Sequence, residues 1–306
     1  EELVNIFVEN QVYFTLVFGN HDHEQGVDKE TLLGYFRKYG GKYCLAYDAI
    51  PELHGTATHN LPVYSSTGNS VKFNVWLFDS GNYVYEDNDP EKRRLGYDCV
   101  TTDQIEWYKD VSESLEKQEG KKVPSMAFQH IVVGEIYEAI FPNALFALPP
   151  LTESYNNGKN YPIIFPDTSK FKGYLFEAPS PGVYNHGQFD AMLERGDVTA
   201  IYSAHDHVNT FEVDYKGIKI INTPSPTYHS YGTQFTRGSR LITIKEDEPW
   251  KVNSEVLTVN SLVMKDKAFA ADMGTSRFAG FFWEALGAFH LILKNLSAPI
   301  TAILYW

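Results

Sequence analysis

Cysteine is nearly absent from this chain: Cys44 and Cys99 are the only two in 306 residues. A small disulfide-framed domain is thereby excluded, and two thiols make one disulfide or none, so the redox compartment stays open. Basic residues are also in short supply, with 26 Lys and Arg against 39 Asp and Glu and a formal net charge of −13. That balance argues against a nucleic-acid surface, because phosphate backbones are held by Lys and Arg. It leaves room for a small phosphate substrate, since a metal's charge dominates its local field even in an acidic protein. There is no internal repeat and no low-complexity tract. The most apolar segment, near the carboxyl end, is interrupted by Glu284, His290 and Lys294, whereas a membrane span needs about 20 mostly apolar residues. No span is expected. Glu1 is preceded by no initiator Met, basic n-region or apolar h-region, so no signal peptide is visible and localisation is left open. The last residues stop inside an apolar run, and both ends read as cut.

What the chain does contain is a globular composition, 43% hydrophobic and 21% charged. Its length suits one domain of roughly 250 residues plus an appendage. Val12-Tyr13-Phe14-Thr15-Leu16-Val17-Phe18 reads as a fully buried strand, with Gly19 supplying the turn that ends it. Behind it stand Asn20, His21, Asp22, His23 and Glu24. Polar groups at the carboxyl end of a buried strand sit where open α/β sheets form their ligand crevices.

One His-Asp pair is more often a surface turn than a site, but the arrangement recurs. Val198 to Ala204 is a second strand-like run that empties into His205-Asp206-His207, and Ser125 to Gln129 is a third that ends at His130. Imidazole nitrogens and an amide oxygen suit a divalent transition metal, and residues i and i+2 of an extended chain point to the same side. Three strand ends presenting such ligands describe a metal crevice.

The order Gly19-Asn20-His21-Asp22, then an isolated His130, then His205-Asp206-His207 resembles the calcineurin-like metallophosphoesterase superfamily. Trp76 to Gly81, Phe128 to Ile131 and His205 to Asn209 narrow the resemblance to the purple acid phosphatase-related branch, over roughly residues 1 to 260. The resemblance implies a four-layer αββα sandwich of two mixed sheets, amino-terminally truncated. Its domain would cover residues 1–262, with an amphipathic helical segment over 263–306. It implies a dinuclear centre of iron, zinc or manganese whose bridging hydroxide attacks a phosphate ester. Carried over by motif, Asn20, His130 and His205 bind one metal and His207 the other. His21 protonates the leaving group, with Asp22 holding its ring. Asp206 and His23 have weaker cases and read as supporting or structural. The family also has Asp-x-His and Gly-Asp stretches upstream of the first loop, and residues 1–18 contain neither Asp nor His. At most one metal is therefore expected in this chain, and catalysis by residues 1–306 alone is in question. The alternative is a catalytically inactive remnant serving as an interaction or scaffold module. A carbohydrate- or protein-binding β sandwich gives no reason for ligands at three strand ends.

In chain order, Leu3, Ile6 and Phe7 predict a helix over Glu2 to Gln11, and Asp28 a cap for a helix carrying Leu32, Leu33 and Phe36 that Gly40-Gly41 ends. His54 and His59 fall in a loop-rich stretch and read as solvated. Val71 to Phe78 reads as a strand, Asp87 to Gly96 as an exposed charged excursion, and Thr101 with Gln104 as a capping box before a helix with the stripe Ile105, Tyr108, Val111 and Leu115. The irregular stretch between His130 and Val198 offers Glu135, Asn185 and His186 as further site candidates, with Gln188 to Arg195 helical. Ile218 to Asn222, Arg240 to Lys245 and Lys251 to Val259 read as strands. His186, His229 and Arg237 are the candidate substrate contacts, with Arg240 beside them. From Phe278 onward, Phe281, Phe282, Ala285, Phe289 and Leu293 share one helical face, which predicts packing on the domain or on another partner.

Overall fold

The computed structural model describes residues 2–24, 26–141, 152–155, 159–162, 166–273 and 275–304. The chain opens with α1 (Glu2–Glu9) and α2 (Lys29–Gly40). Asp28 caps α2, its Oδ1 accepting the Thr31 N–H at 2.7 Å. Strands β1 (His59–Tyr64) and β2 (Val71–Leu77) follow, then a small ladder of β3 (Tyr83–Tyr85) with β4 (Arg94–Tyr97). α3 (Thr102–Glu119) starts at the expected Thr101–Gln104 capping box and leads to β5 (Ser125–Phe128) and the short α4 (Ile136–Ile140). The stretch between His130 and Val198 contains regular elements. It carries a ladder of β6 (Thr152–Tyr155) with β7 (Lys159–Pro162), then β8 (Phe171–Lys172) and α5 (Gln188–Arg195). Pro149, Pro150 and residues 156–158 lie outside the described residues. The remaining strands are β9 (Val198–Ser203), β10 (Glu212–Tyr215), β11 (Ile218–Asn222), β12 (Gly238–Ile244) and β13 (Val252–Thr258). Helices α6 (Val259–Lys265), α7 (Lys267–Asp272) and α8 (Arg277–Leu304) end the chain. Residue 262, the expected domain boundary, falls inside α6.

Seven strands form one mixed sheet in the order β1-β2-β5-β9-β11-β10-β8. Its centre, β2-β5-β9-β11, is parallel, and the outer pairings are antiparallel. Parallel strands must be covered on both faces. One face carries α3 and α5, whose Trp107, Tyr108, Phe189 and Met192 pack with Trp76 and Ile201. On the other, Phe73, Met126, Tyr202 and Ile221 meet Ile242, Ile244 and Val252 of the β12–β13 hairpin. The architecture is thus mixed α/β with a second β layer, and among the described residues that layer is two strands wide.

One expectation fails. Val12 to Phe18 is no strand of the sheet: only Phe14 makes a bridge, to Cys44, while Val12 and Tyr13 are exposed. Phe14 and Phe18 alone are buried, against α1, α2 and the 43–46 stretch rather than between strands. On α8 the aromatic face points outward, with Phe278 76% and Phe289 57% exposed. The side that packs on the domain carries Trp283 against Phe235, Glu284 bonded to Thr258, and His290 against Tyr174 and Phe176. Among the described residues no helix is long and apolar enough to cross a membrane.

Candidate metal centre

Strands β5 and β9 are parallel neighbours, with Phe128 opposite Tyr202, so the loops that follow them leave side by side from one edge of the sheet. The backbone then locks them together. Gln129 N–H donates to the Tyr202 carbonyl at 3.0 Å, and the Ala204 and His205 N–H groups both donate to the His130 carbonyl, at 3.1 and 3.0 Å. His130 and His205 are thereby held as a pair, with His130 Nε2 3.2 Å from His205 Nδ1.

Asn20 joins them from the first loop. Its amide oxygen lies 2.9 Å from His130 Nε2, and its Nδ2 donates to the Tyr83 hydroxyl at 2.7 Å, which fixes the orientation of the amide. Gly19 is what lets the ring come so near: a Cβ there would stand 3.0 Å from His130 Cε1 and Nε2. Close approach, rather than a special turn conformation, is the reason for glycine at this position, since its φ is not positive.

Asn20 and His205 are buried, and the edge of His205 is covered by the Tyr97 ring at 4.3 Å. Burial, followed by the neighbouring imidazoles His205 and His207, pushes His130 down to about 3, and burial with His207 lowers His205 to about 4. Both rings are therefore neutral near pH 7, the protonation state in which an imidazole binds metal. Ligand atoms about 2.1 Å from one ion at tetrahedral to octahedral angles stand roughly 3.0–3.4 Å apart. The His130–His205 separation, 3.2 Å, matches such an edge, and the Asn20–His130 separation, 2.9 Å, lies just below the range. The donor set fits one borderline-soft divalent ion.

It does not extend to a second. His207 faces away into the 225–232 loop: its Nδ1 lies 3.1 Å from Ser230 Oγ and 3.3 Å from the Tyr231 carbonyl, and its ring stacks on Tyr231 at 4.2 Å. Among the described residues no group of three or more His, Cys, Asp or Glu side chains is placed to hold a metal. Asp79 is 1% exposed and already paired with Lys29 Nζ at 2.9 Å, while accepting from Thr56 and Gly81 N–H groups. Glu135 accepts from Asn185 Nδ2 at 2.7 Å, and burial raises its carboxyl above the ordinary range.

The pair expected to be catalytic, His21 and Asp22, is arranged differently from expectation. His21 is exposed and its Nδ1 lies 2.7 Å from Glu24 Oε2, whereas Asp22 accepts the Gly19 N–H at 2.5 Å. Glu24, not Asp22, holds the His21 ring, and Asp22 closes the turn that presents Asn20. Asp206 is buried, and burial followed by Glu177 pushes its carboxyl up to about 8. Its oxygens accept the Ser180 N–H, so it pins the adjoining turn. His186 is exposed beside Tyr184, His229 is exposed, and Arg237 is buried beneath Tyr228. His59 is 0% exposed, with Nε2 2.7 Å from Thr15 Oγ1, and so is a core residue rather than a solvated one. Half-exposed His54 lies 3.2 Å from Asp98 Oδ2, and that carboxylate raises its pKa.

Three contributors were not anticipated. Tyr83 steers Asn20, Tyr97 covers His205, and Asn222 bonds the carbonyls of Asp206 and Asn209 to hold the last loop. Asn222 closes a strand that the sequence does show, but nothing in its spacing points back to residue 206.

No family model matches the chain. An Arabidopsis thaliana protein described as probable inactive purple acid phosphatase 14 is 27% identical over 239 residues, 74% of this chain and 52% of its own length. The chain is a homologue of purple acid phosphatase-like proteins. Two more from the same plant, described as probable inactive purple acid phosphatases 29 and 28, are 23% and 22% identical over 78% and 80% of this chain. It spans 57% of each of those two, so the chain covers little more than half the length of the curated relatives it matches. A solved dimetal phosphatase from Danio rerio aligns over 73% of this chain and 76% of its own, at 10% identity and a TM-score of 0.36. That likeness is too loose to bear on function.

Proposed function

We propose that this chain supplies the amide–imidazole half of a metallophosphoesterase centre, and that residues 1–306 bind one divalent ion and by themselves hydrolyse phosphate esters poorly. The observation that carries this reading is the spacing of the Asn20, His130 and His205 donor atoms, which comes close to the edges of one coordination polyhedron. An ion bound there supplies Lewis acidity, drawing charge from a phosphoryl oxygen. The protein's own part is to keep both imidazoles neutral by burial, to fix the amide through Tyr83, and to exclude water behind Tyr97. In this reading His21, exposed on the same loop, holds a proton for a departing alkoxide, with Glu24 as the carboxylate at its ring. His207 and a bridging carboxylate complete a two-metal site in the family's pattern, and among the described residues only the first of them is offered here.

The second reading, a non-catalytic module of the same fold, is supported by the printed description of the three plant relatives as inactive and by Glu24 occupying His21. Calorimetric titration of the chain with zinc separates the two. The proposal expects one tight ion and turnover of p-nitrophenyl phosphate far below the roughly 1–10³ s⁻¹ of ordinary enzymes. Two tight ions with rapid turnover would refute the half-site, and no binding at all would favour the non-catalytic module.

A further inference from the structure

Arg237 is 8% exposed, and its Nη1 is buried without a hydrogen-bond partner. Among the described residues no carboxylate pairs with it. A guanidinium cannot shed its proton inside a protein, so the charge persists, and a buried charge without a counter-ion is among the costliest arrangements a fold tolerates. The ring of Tyr228 at 4.3 Å offsets part of that cost through a cation–π contact. It does nothing for the unused N–H donors. The surrounding sequence is singular too. In a chain of net charge −13, residues 215–245 contain no Asp or Glu, so no internal carboxylate competes for this cation along its own stretch.

The roof over Arg237 also touches the metal loop. Ser230 and Tyr231 hold the ring of His207, and the next residue, Gly232, lies so close to the guanidinium that a Cβ there would stand 2.4 Å from Nη2. Tyr228, which covers the guanidinium, is 52% exposed. One short loop therefore links His207 to a buried, anion-seeking fork.

We infer that Arg237 anchors an oxyanion site beneath the Tyr228–Gly232 loop, taking the oxygens of phosphate or of a phosphate ester next to His207. The planar fork presents paired N–H donors at the spacing of two oxygens of one anion. Occupation of the site replaces the Tyr228 ring as the partner of the guanidinium, and through Ser230 and Tyr231 it bears on the setting of His207. The inference deepens the proposed function, from which it takes only the choice of phosphate as the anion.

The test is made on the chelator-treated, metal-free full chain, so that it can fail independently of the zinc titration. Inorganic phosphate is titrated calorimetrically, with acetate as the comparison arm. The expected result is binding with a Kd on the order of 1 mM or tighter, and weaker binding of acetate. Arg237→Met abolishes it. Arg237→Lys keeps charge and volume but not the fork, and weakens it about tenfold. Lys216→Ala, in the same acid-free stretch but between β10 and β11, leaves it unchanged. Should Arg237→Met fail to fold, Arg237→Lys decides. No phosphate binding by the wild-type chain, acetate bound as well as phosphate, or undiminished affinity in Arg237→Lys overturns the inference.

Discussion

The amide oxygen of Asn20 lies 2.9 Å from Nε2 of His130, although 110 residues separate the two. That contact exists because β5 delivers His130 to the sheet edge and Tyr83 turns the amide toward it. Removing a donor atom and removing its support should therefore differ in degree. Tyr83→Phe should lower zinc affinity by roughly 10–100-fold, the usual cost of losing a supporting hydrogen bond, and Asn20→Ala or His205→Ala should lower it further. His54→Ala, which removes a ring bonded to Asp98, should leave it unchanged. Equal losses in the His54 and His205 variants would remove the case for this centre.

Gly19→Ala isolates geometry from chemistry. Its Cβ would stand 3.0 Å from the His130 ring, so the ring must shift by a few tenths of an ångström and the matched donor spacing is lost. No donor atom is removed. The expected outcome is weaker zinc binding with a change in unfolding free energy within about 1 kcal/mol, well below the effect of a large core cavity. Wild-type affinity in this variant would show that the spacing has more slack than the contact distance implies.

The positions of Asn20, His130 and His205 were legible because each follows a segment whose pattern marks it as leading to one edge, and two of the segments are neighbouring parallel strands of one sheet. The run Val12 to Phe18 shows where such reading stops. A β-branched apolar run becomes a strand only when another strand lies alongside it, and among the described residues Phe14 finds only Cys44. For α8 the apolar stripe was visible, but a stripe does not say which side meets the domain. Gly280 and Gly287, close against Asn260 and Tyr174, let the helix approach on its other side. Tyr83 was invisible for a simpler reason: a hydroxyl that supports an amide 63 residues away leaves no periodic trace.

His59 gives the fold a pH dependence separate from the metal centre. Its Nδ1 is 2.7 Å from the Ala57 carbonyl, its Nε2 faces Thr15 Oγ1, and burial lowers its pKa to about 4. The folded form stays neutral while the unfolded chain takes up a proton near pH 6.5. Between about pH 6.5 and 4 the unfolded state thus binds more protons, and stability must fall as pH falls through that window. The contribution is fully present above pH 6.5, and about 2 kcal/mol of it is lost by pH 5. Urea unfolding at pH 7.5 and 5.0 should show a smaller drop in His59→Asn than in the wild type, whatever the variant's absolute stability. An unchanged drop would mean that His59 does not stay neutral in the fold.

Lys29 and Asp79 form the buried ion pair that ties the start of α2, and so the loop carrying Asn20, to the end of β2. Lys29 Nζ reaches both Asp79 oxygens, at 2.9 and 3.1 Å, and the Thr56 and Gly81 N–H groups complete their coordination. A buried pair adds little over apolar packing, but breaking one side strands a charge, at a cost of about 3–5 kcal/mol. Lys29→Met should therefore destabilise by that order. Asp79→Asn in the Lys29→Met background should recover part of the loss, since the stranded charge is gone and an amide oxygen remains for the backbone donors. Strictly additive losses in urea unfolding would show that the two residues are not coupled. The same variants decide whether Asp79 serves as a metal-bridging carboxylate. With its oxygens taken by Lys29 and the backbone, it has no lone pairs directed at His130, so Asp79→Asn protein that remains folded should bind zinc as the wild type does. A fall in zinc affinity comparable to that of Asn20→Ala would instead place Asp79 in the centre and require Lys29 to release it.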